Sequence, residues 1–229
     1  MTDKTLTYND TLKGEEQKKF ILKVYRIFIY SLLYSAISSY FSIQLNFQFS
    51  WWWVLLEIVI FLICIFSEKS LFFLYLWTVA SGFNSGPILS NLFNEGNGSI
   101  IWKSLLLTCL IFAILSVYVF YTKKDYSHWG AILFAFLTIL VLSIIPLIIF
   151  PNKTAIIIFS AIGILLFCAY VLFDTSNIIH QYKTGDEVMA ALDLHLDFVN
   201  IFWRFIRIFK RTEGDLPDTD TDIDLPDID

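Results

Sequence analysis

The chain is 229 residues long, 57% hydrophobic and only 16% charged, with a net charge of −5 and a mean hydropathy of +0.66. A soluble domain carries about a quarter charged residues, so most of this surface is solvated by something other than water, and the length suits about seven spans of about 20 residues each. Acid is concentrated in residues 215–229 while Lys and Arg gather near span boundaries, which excludes a nucleic-acid binder. Cys64, Cys109 and Cys168 fall singly inside apolar runs, a pattern that excludes a disulfide framework or a zinc site.

In chain order, residues 1–19 are polar and lack the pattern of a cleavable signal, so the first span itself is expected to direct insertion. Apolar runs follow at 20–43, 51–66, 71–92, 100–121, 130–150 and 154–173, with a less pure one at 187–209. Backbone groups in lipid must bond within their own segment, so each run is predicted to be a helix. Trp51, Trp52 and Trp53 mark an interfacial belt at the start of the second. Gly82 and Gly86, just before Pro87, predict close helix packing and a kink in the third.

Lys13, Lys18, Lys19, Lys69, Lys123, Lys124 and Lys183 all fall on one side of this arrangement, whereas the opposite loops hold Lys153 alone. The N-terminal side is therefore expected to be cytosolic. Sequons at Asn97 and Asn152 fall on the other side, and a third at Asn9 on the cytosolic one. A full seventh crossing would carry Arg204, Arg207, Lys210 and Arg211 outward, against the charge rule, so crossing and re-entry both stay open. The expected organisation is a polar cytosolic stretch at 1–19, a seven-segment membrane domain at 20–211, and a disordered acidic tail at 212–229.

Chemistry concentrates around the last two segments. Gly185 permits a turn there, and Thr184 with Glu187 matches a capping box that would open the last helix. Asp174 and Asp197 stand about equally far from that turn, roughly 17 Å along each arm at 1.5 Å per residue. They should face each other near mid-bilayer, share one proton and titrate as a unit. A divalent cation could replace the proton, and oxygen-only ligands suit calcium. The bland reading leaves Asp174 at a helix end in interfacial water.

At 100° per residue, Asp193, Asp197, Asn200, Arg204 and Arg207 fall within an arc of roughly 80°. That stripe fits either a central helix lining a water-accessible path or an amphipathic helix on the membrane surface. His195 points to the opposite face, as a packing or interfacial residue. Glu57, little more than a turn inside the tryptophan belt, either lines the outer end of the path or snorkels to the interface. Lys23 and Arg26 are expected to be interfacial anchors.

The run Phe167-Cys168-Ala169-Tyr170-Val171-Leu172-Phe173-Asp174-Thr175, then Ala190-Ala191-Leu192 and Leu196-Asp197-Phe198-Val199-Asn200-Ile201-Phe202, resembles the transmembrane Bax inhibitor motif family. Lys23-Val24-Tyr25, Glu57, Ser81-Gly82-Phe83 and Tyr121-Thr122-Lys123-Lys124-Asp125 support the likeness, which covers most of residues 20–211. The resemblance implies an all-α membrane fold of seven helices, the last one central between two three-helix layers. It also implies a passive calcium leak with Asp174 and Asp197 as pH sensor; beside it, the facing carboxylates of Asp174 and Asp197 are the expected ion pathway and transient calcium ligands, and the polar stripe and Glu57 give Glu57, Asp193 and Asn200 as supporting positions. Members with a described latch carry arginine near the end of the second helix, where this chain has Glu68 and Lys69. Lys69, Arg204 and Arg207 are the candidate substitutes.

A non-enzymatic, pH-sensitive calcium leak that lowers stored calcium and inhibits apoptosis is therefore the leading expectation, with calcium as permeant ion and no cofactor. Its expected partners are the lipid bilayer, calcium ions and membrane proteins of cell-death pathways. The expected location is an endomembrane (ER or Golgi) for a eukaryotic or viral chain and the plasma membrane for a bacterial one. Two alternatives stay open: an interaction protein acting without conduction, and an intramembrane aspartyl protease, although no Gly-x-Gly-Asp surrounds either aspartate.

Overall fold

The computed structural model describes residues 2–48, 50–67, 69–150 and 152–213, with side chains from residue 14 onward except at 148. Its helices are α1 (Thr2–Gln44), α2 (Trp51–Phe66), α3 (Leu71–Asn94), α4 (Gly98–Thr122), α5 (Gly130–Leu142), α6 (Ile144–Ile149), α7 (Lys153–His180) and α8 (Glu187–Thr212), with one 3-10 turn at Ser127–Trp129. No strand occurs among the described residues. Four stretches, Gly14–Gln44, Gly98–Thr122, Ser127–Leu147 and Lys153–His180, are long and apolar enough to cross a membrane, and Trp51–Phe66 is a shorter apolar helix. The chain is an all-α, multi-pass membrane protein.

Two layers enclose one helix. In the first, α3 packs against α1 and α2; in the second, α7 packs against α4 and α5. Between them α8 touches α1, α3, α4 and α7. This explains why α8 tolerates a composition too polar for a lipid-facing span: its polar residues meet protein, and residues as different as Leu194, His195, Asp197 and Arg204 are all buried.

The α1–α3 contact depends on small residues. A Cβ added at Gly82 would lie 2.1 Å from the Ser35 carbonyl oxygen, and one at Gly86 would lie 2.3 Å from Ser42 Oγ. Ser38 Oγ donates to the Val79 carbonyl at 2.6 Å along the same seam. Without a hydrophobic drive between helices in lipid, such close backbone approach and interhelical hydrogen bonding hold the pair. Through Pro87, α3 continues unbroken to Asn94.

Several boundaries differ from the sequence expectation. Helix α1 begins at Thr2, well before the apolar run, so the polar stretch is helical and continuous with the first apolar run. The fifth run is not one helix, because α5 stops at Leu142 and α6 restarts at Ile144. Pro146 lacks an N–H and its ring would crowd the carbonyl four residues back, at Leu142. Ser143 Oγ caps the interruption by donating to the Leu140 carbonyl at 2.7 Å. The capping box does not form: Asp186 is the N-cap residue, without a side-chain cap bond, and Gly185 turns at φ 109°. Glu187 instead accepts from the Gly185 backbone N–H and from Lys23 Nζ, both at 3.1 Å. Lys23, expected as a lipid-interface anchor, thus fastens the start of α8.

At its other end, α8 reaches the α3–α4 connection, where Lys210 pairs with Glu95 of the loop at 3.1 Å and Glu213 with Lys103, near the start of α4, at 2.7 Å. Helix α8 therefore runs the full height of the bundle, and neither re-entry nor a surface-lying helix fits. The acidic stretch from residue 214 on, and Glu68, lie outside the described residues.

Replacing Gly82 by Ala is expected to destabilise the fold by about 1–3 kcal/mol through overpacking, read as a lower unfolding midpoint in detergent. Gly14→Ala, where nothing lies within 4 Å, should leave that midpoint in place. Because α8 crosses, cysteines substituted at Glu16 and Arg211 should react with a membrane-impermeant thiol reagent from opposite sides of sealed vesicles; labelling of both from one side would contradict the crossing.

Candidate functional site

Helices α7 and α8 form an antiparallel hairpin closed by residues 181–186. Asp174 lies about six residues, roughly 9 Å, before the end of α7, and Asp197 about ten residues, roughly 15 Å, into α8. The loop absorbs the difference, and the two carboxyl groups come into direct side-chain contact. Asp174 is 6% exposed and Asp197 3%, so the placement of Asp174 in interfacial water does not hold. Asn177, one turn along α7, also contacts the Asp174 carboxyl. Oδ2 of Asp197 is buried without a hydrogen-bond partner, and among the described residues no Lys, Arg or His pairs with either aspartate. Two carboxylates have only acceptors, so a hydrogen bond between them requires that one carry a proton.

The rest of the stripe divides along α8. One turn nearer the hairpin tip, half-buried Asp193 accepts a short hydrogen bond from the Tyr182 hydroxyl. Asn200 turns its amide back onto its own helix, donating to the Leu196 carbonyl at 2.8 Å. Arg204 is buried against α7, where Nη1 donates to the Phe159 carbonyl at 3.2 Å and the guanidinium lies 5.5 Å from the Phe167 ring centre. Gly163 makes this possible, since a Cβ there would fall 2.2 Å from the Arg204 guanidinium carbon. Nε of Arg204 is left buried and unpartnered.

Beyond Arg204 opens a cavity of about 970 Å³, whose walls include Glu57, Asn84, Trp203, Arg207, Lys210 and Arg211. Glu57 accepts from Asn84 Nδ2 at 2.6 Å, which ties α2 to α3 at this mouth. Glu57 and Arg207 thus share a vestibule, and the aspartate pair lies deeper. Lys69 lies at the hairpin tip, its Nζ 3.7 Å from where a Cβ on Gly185 would be, and makes no ion pair with the aspartates among the described residues. His195 is not interfacial: it is fully buried, with Nδ1 2.7 Å from Ser31 Oγ and its ring 5.3 Å from that of Trp77.

Sequence reasoning did not single out Tyr182, Asn177, Gly163 or Asn84. Asn177 stands three residues after Asp174, a spacing that helix geometry makes neighbours. Tyr182, Gly163 and Asn84 acquire their partners only through tertiary packing. As a metal site the aspartate pair is incomplete. Two carboxylates offer at most four oxygens where calcium takes six to eight, and no cluster of three or more His, Cys, Asp or Glu exists among the described residues.

Comparison with known proteins agrees with this architecture. Residues 17–214 match the family described as inhibitor of apoptosis-promoting Bax1. The chain is 32% identical over 206 residues to Bax inhibitor 1 of Schizosaccharomyces pombe, covering 82% of this chain and 75% of that one. It is 31% identical over 219 residues to an uncharacterised protein of Helicobacter pylori, covering 92% of each. A shorter match of 34% identity over 111 residues, 48% of this chain and 47% of the other, links it to the Golgi anti-apoptotic protein of Vaccinia virus. A match spanning nearly all of the described bundle assigns the chain plainly: it belongs to the Bax inhibitor family.

Proposed function

We propose that the chain is a passive calcium leak whose conductance is set by a proton shared between Asp174 and Asp197. The observation that carries this reading is the direct contact of two buried carboxyl groups, without a cationic partner among the described residues, on the helix that the bundle encloses. A structural ion pair would supply a cation here. A carboxyl pair held by one proton instead leaves a place that a divalent cation can take when the proton leaves.

On this reading, ions pass along the polar face of α8. Tyr182 and Asp193 form the entrance near the hairpin tip, where the phenol orients the Asp193 carboxylate toward the route. The next turn brings the ion to Asp174 and Asp197, which supply part of its oxygen shell while water supplies the remainder, so the ion is bound transiently and released. Asn200 follows, its amide swinging from its intrahelical bond to offer an oxygen.

Arg204 is the closure, a fixed cation about 10 Å further along α8 that repels calcium while it rests on Gly163 and Phe167. Its unpartnered Nε and small neighbour favour a movable latch over a rigid structural contact. Past it the route opens at Glu57 and Arg207. Lys69, at the hairpin tip, acts on the turn rather than on the pair.

Names of relatives such as Bax inhibitor 1 and Golgi anti-apoptotic protein favour an anti-apoptotic role here, exercised by lowering stored calcium from an endomembrane in a eukaryotic or viral setting. Conduction breaks no bond, and no enzymatic step is invoked. Membrane proteins of cell-death pathways are the partners such a role would engage.

The test is calcium uptake into indicator-loaded liposomes. Because a proton must leave before a divalent cation enters the pair, the calcium concentration giving half-maximal flux should rise as pH falls. Asp174→Asn and Asp197→Asn should each flatten that dependence and change flux about tenfold or more, the scale of 1.4 kcal/mol. Variants that keep both the wild-type flux and its pH response would end the proposal.

A further inference from the structure

Helices α1 and α4 meet near the hairpin tip and flank a groove beyond it. Near the tip the contact is made by rings: Tyr25 lies 5.6 Å from Phe120, and Phe28 stacks on Phe112 at 5.0 Å. Phe198 of α8 closes this cluster, 6.0 Å from Phe28 and 5.7 Å from Phe112. Beyond the three rings, a groove of about 530 Å³ runs between α1 and α4, with α3 and α8 as its floor. Its α8 lining is apolar, made of Phe198, Val199, Phe202 and Trp203. Leu33 and Tyr40 of α1 and Trp102 of α4 also line it and are exposed. Since α1 and α4 are both long and apolar enough to span, the groove opens on lipid, and lipid there reaches α8 one residue from Asp197.

One polar group on this wall is unexplained. Helical hydroxyls commonly return to the carbonyl four residues back, as those of Ser85 and Thr108 do at 2.8 Å. Ser39 lines the groove, is 6% exposed, and its hydroxyl has no hydrogen-bond partner among the described residues. A buried hydroxyl without a partner is destabilising, so a ligand that supplies an acceptor is favoured there. Ser39 stands five residues, about 7.5 Å, before the end of α1 at Gln44. At the same end of the groove are the exposed rings of Tyr40, Phe93 and Trp102, the kind of residue that gathers at the headgroup boundary. From Ser39 to Ile29, at the closed end, is about 15 Å along α1. That equals the hydrocarbon of one leaflet, half of about 30 Å.

We infer that this groove seats one acyl chain of a glycerophospholipid, its ester carbonyl accepting from the Ser39 hydroxyl and its tail ending against the Phe198 ring. The ester group sits where the hydrocarbon begins, which is the depth of Ser39, and the chain then has the length the groove offers. Such a lipid differs from those surrounding the spans because it lies on the enclosed helix. Seating does not depend on the proposed conduction. For a leak along α8, it would make the surroundings of Asp197 sensitive to the chain that fills the groove.

Photolabelling of the full chain in liposomes tests this, with a phosphatidylcholine that carries a diazirine in the distal half of one acyl chain and the labelled residues read by mass spectrometry. Surrounding lipid reaches Leu110 and Ile114 on the exposed side of α4, whereas Val199 and Phe202 of α8 are reached through the groove. Both sets should be labelled. Ala36→Trp, which fills the groove from an exposed position on its wall, should remove the α8 label and keep the α4 label. Ser39→Ala leaves the groove open and should lower the α8 label about threefold, the effect of one modest hydrogen bond. With a diether lipid, which has no ester carbonyl, Ser39→Ala should change nothing. A wild-type chain labelled on α4 but not on α8 would overturn the inference, as would an α8 label that ignores both substitutions. An α8 label obtained from a photoactivatable sterol and not from the phospholipid would overturn it too, and would assign the groove to a sterol.

Discussion

Placing a carboxyl group inside a helical bundle in lipid costs at least about 2.5–3.5 kcal/mol on insertion scales if it is ionised, and Asp174 and Asp197 are both there, in contact and buried. Such a pair persists only if the protein shields it from lipid on every side and if the two groups share a proton or cation. Those conditions require α8 to be enclosed. The helix is wrapped by α1, α3, α4 and α7, which is why it can carry two aspartates, a histidine and an arginine through the height of the bundle.

Enclosure in turn constrains the surrounding helices. Helices α1 and α3 approach until the backbone of Ser35 nearly meets Gly82, and α1 also covers a face of α8, where the Phe28 ring lies 6.0 Å from that of Phe198. His195 on that face is held by Ser31 and Trp77. The ends of α8 are fixed by charge: Glu187 to Lys23 at one end, and Lys210 to Glu95 at the other. An exposed pair such as Lys210–Glu95 contributes only about 0.2–1 kcal/mol, but together with Lys23–Glu187, whose carboxylate is buried, it fixes the two ends of α8 against α1 and the α3–α4 loop.

Much of this was legible in the sequence because it rests on local rules. Apolar runs of span length imply helices in lipid, and two aspartates equally removed from a Gly185 turn imply facing arms, which is what α7 and α8 provide. Gly82 and Gly86 signalled a close helix contact of α3 through small size, but that α1 is the partner shows only in the fold. Less legible was whatever depends on a partner distant in the chain. Thr184 and Glu187 fit a capping box locally, yet Lys23 competes for the Glu187 carboxylate from 164 residues away. Because α8 ends beside the α3–α4 loop, Arg207 and Arg211 stand at the end of the bundle away from Lys23, so the charge rule read from the short loops fails at this helix. The bed of Arg204 on Gly163 and Phe167, and the bond from Tyr182 to Asp193, exist only once the hairpin closes. Pro146 was visible, but that it divides the fifth segment at Ser143 follows from a steric conflict at Leu142, which composition does not report.

The central claim is one proton held jointly by two carboxyl groups inside the bundle, and difference infrared spectroscopy of the full chain in lipid reads it directly. With aspartate labelled at the carboxyl carbon, one protonated-carboxyl band should be assignable to the pair, shift in Asp197→Asn as well as in Asp174→Asn, and diminish when calcium is added at constant pH. A band that belongs to only one of the two residues and ignores both the other substitution and calcium would contradict a shared proton.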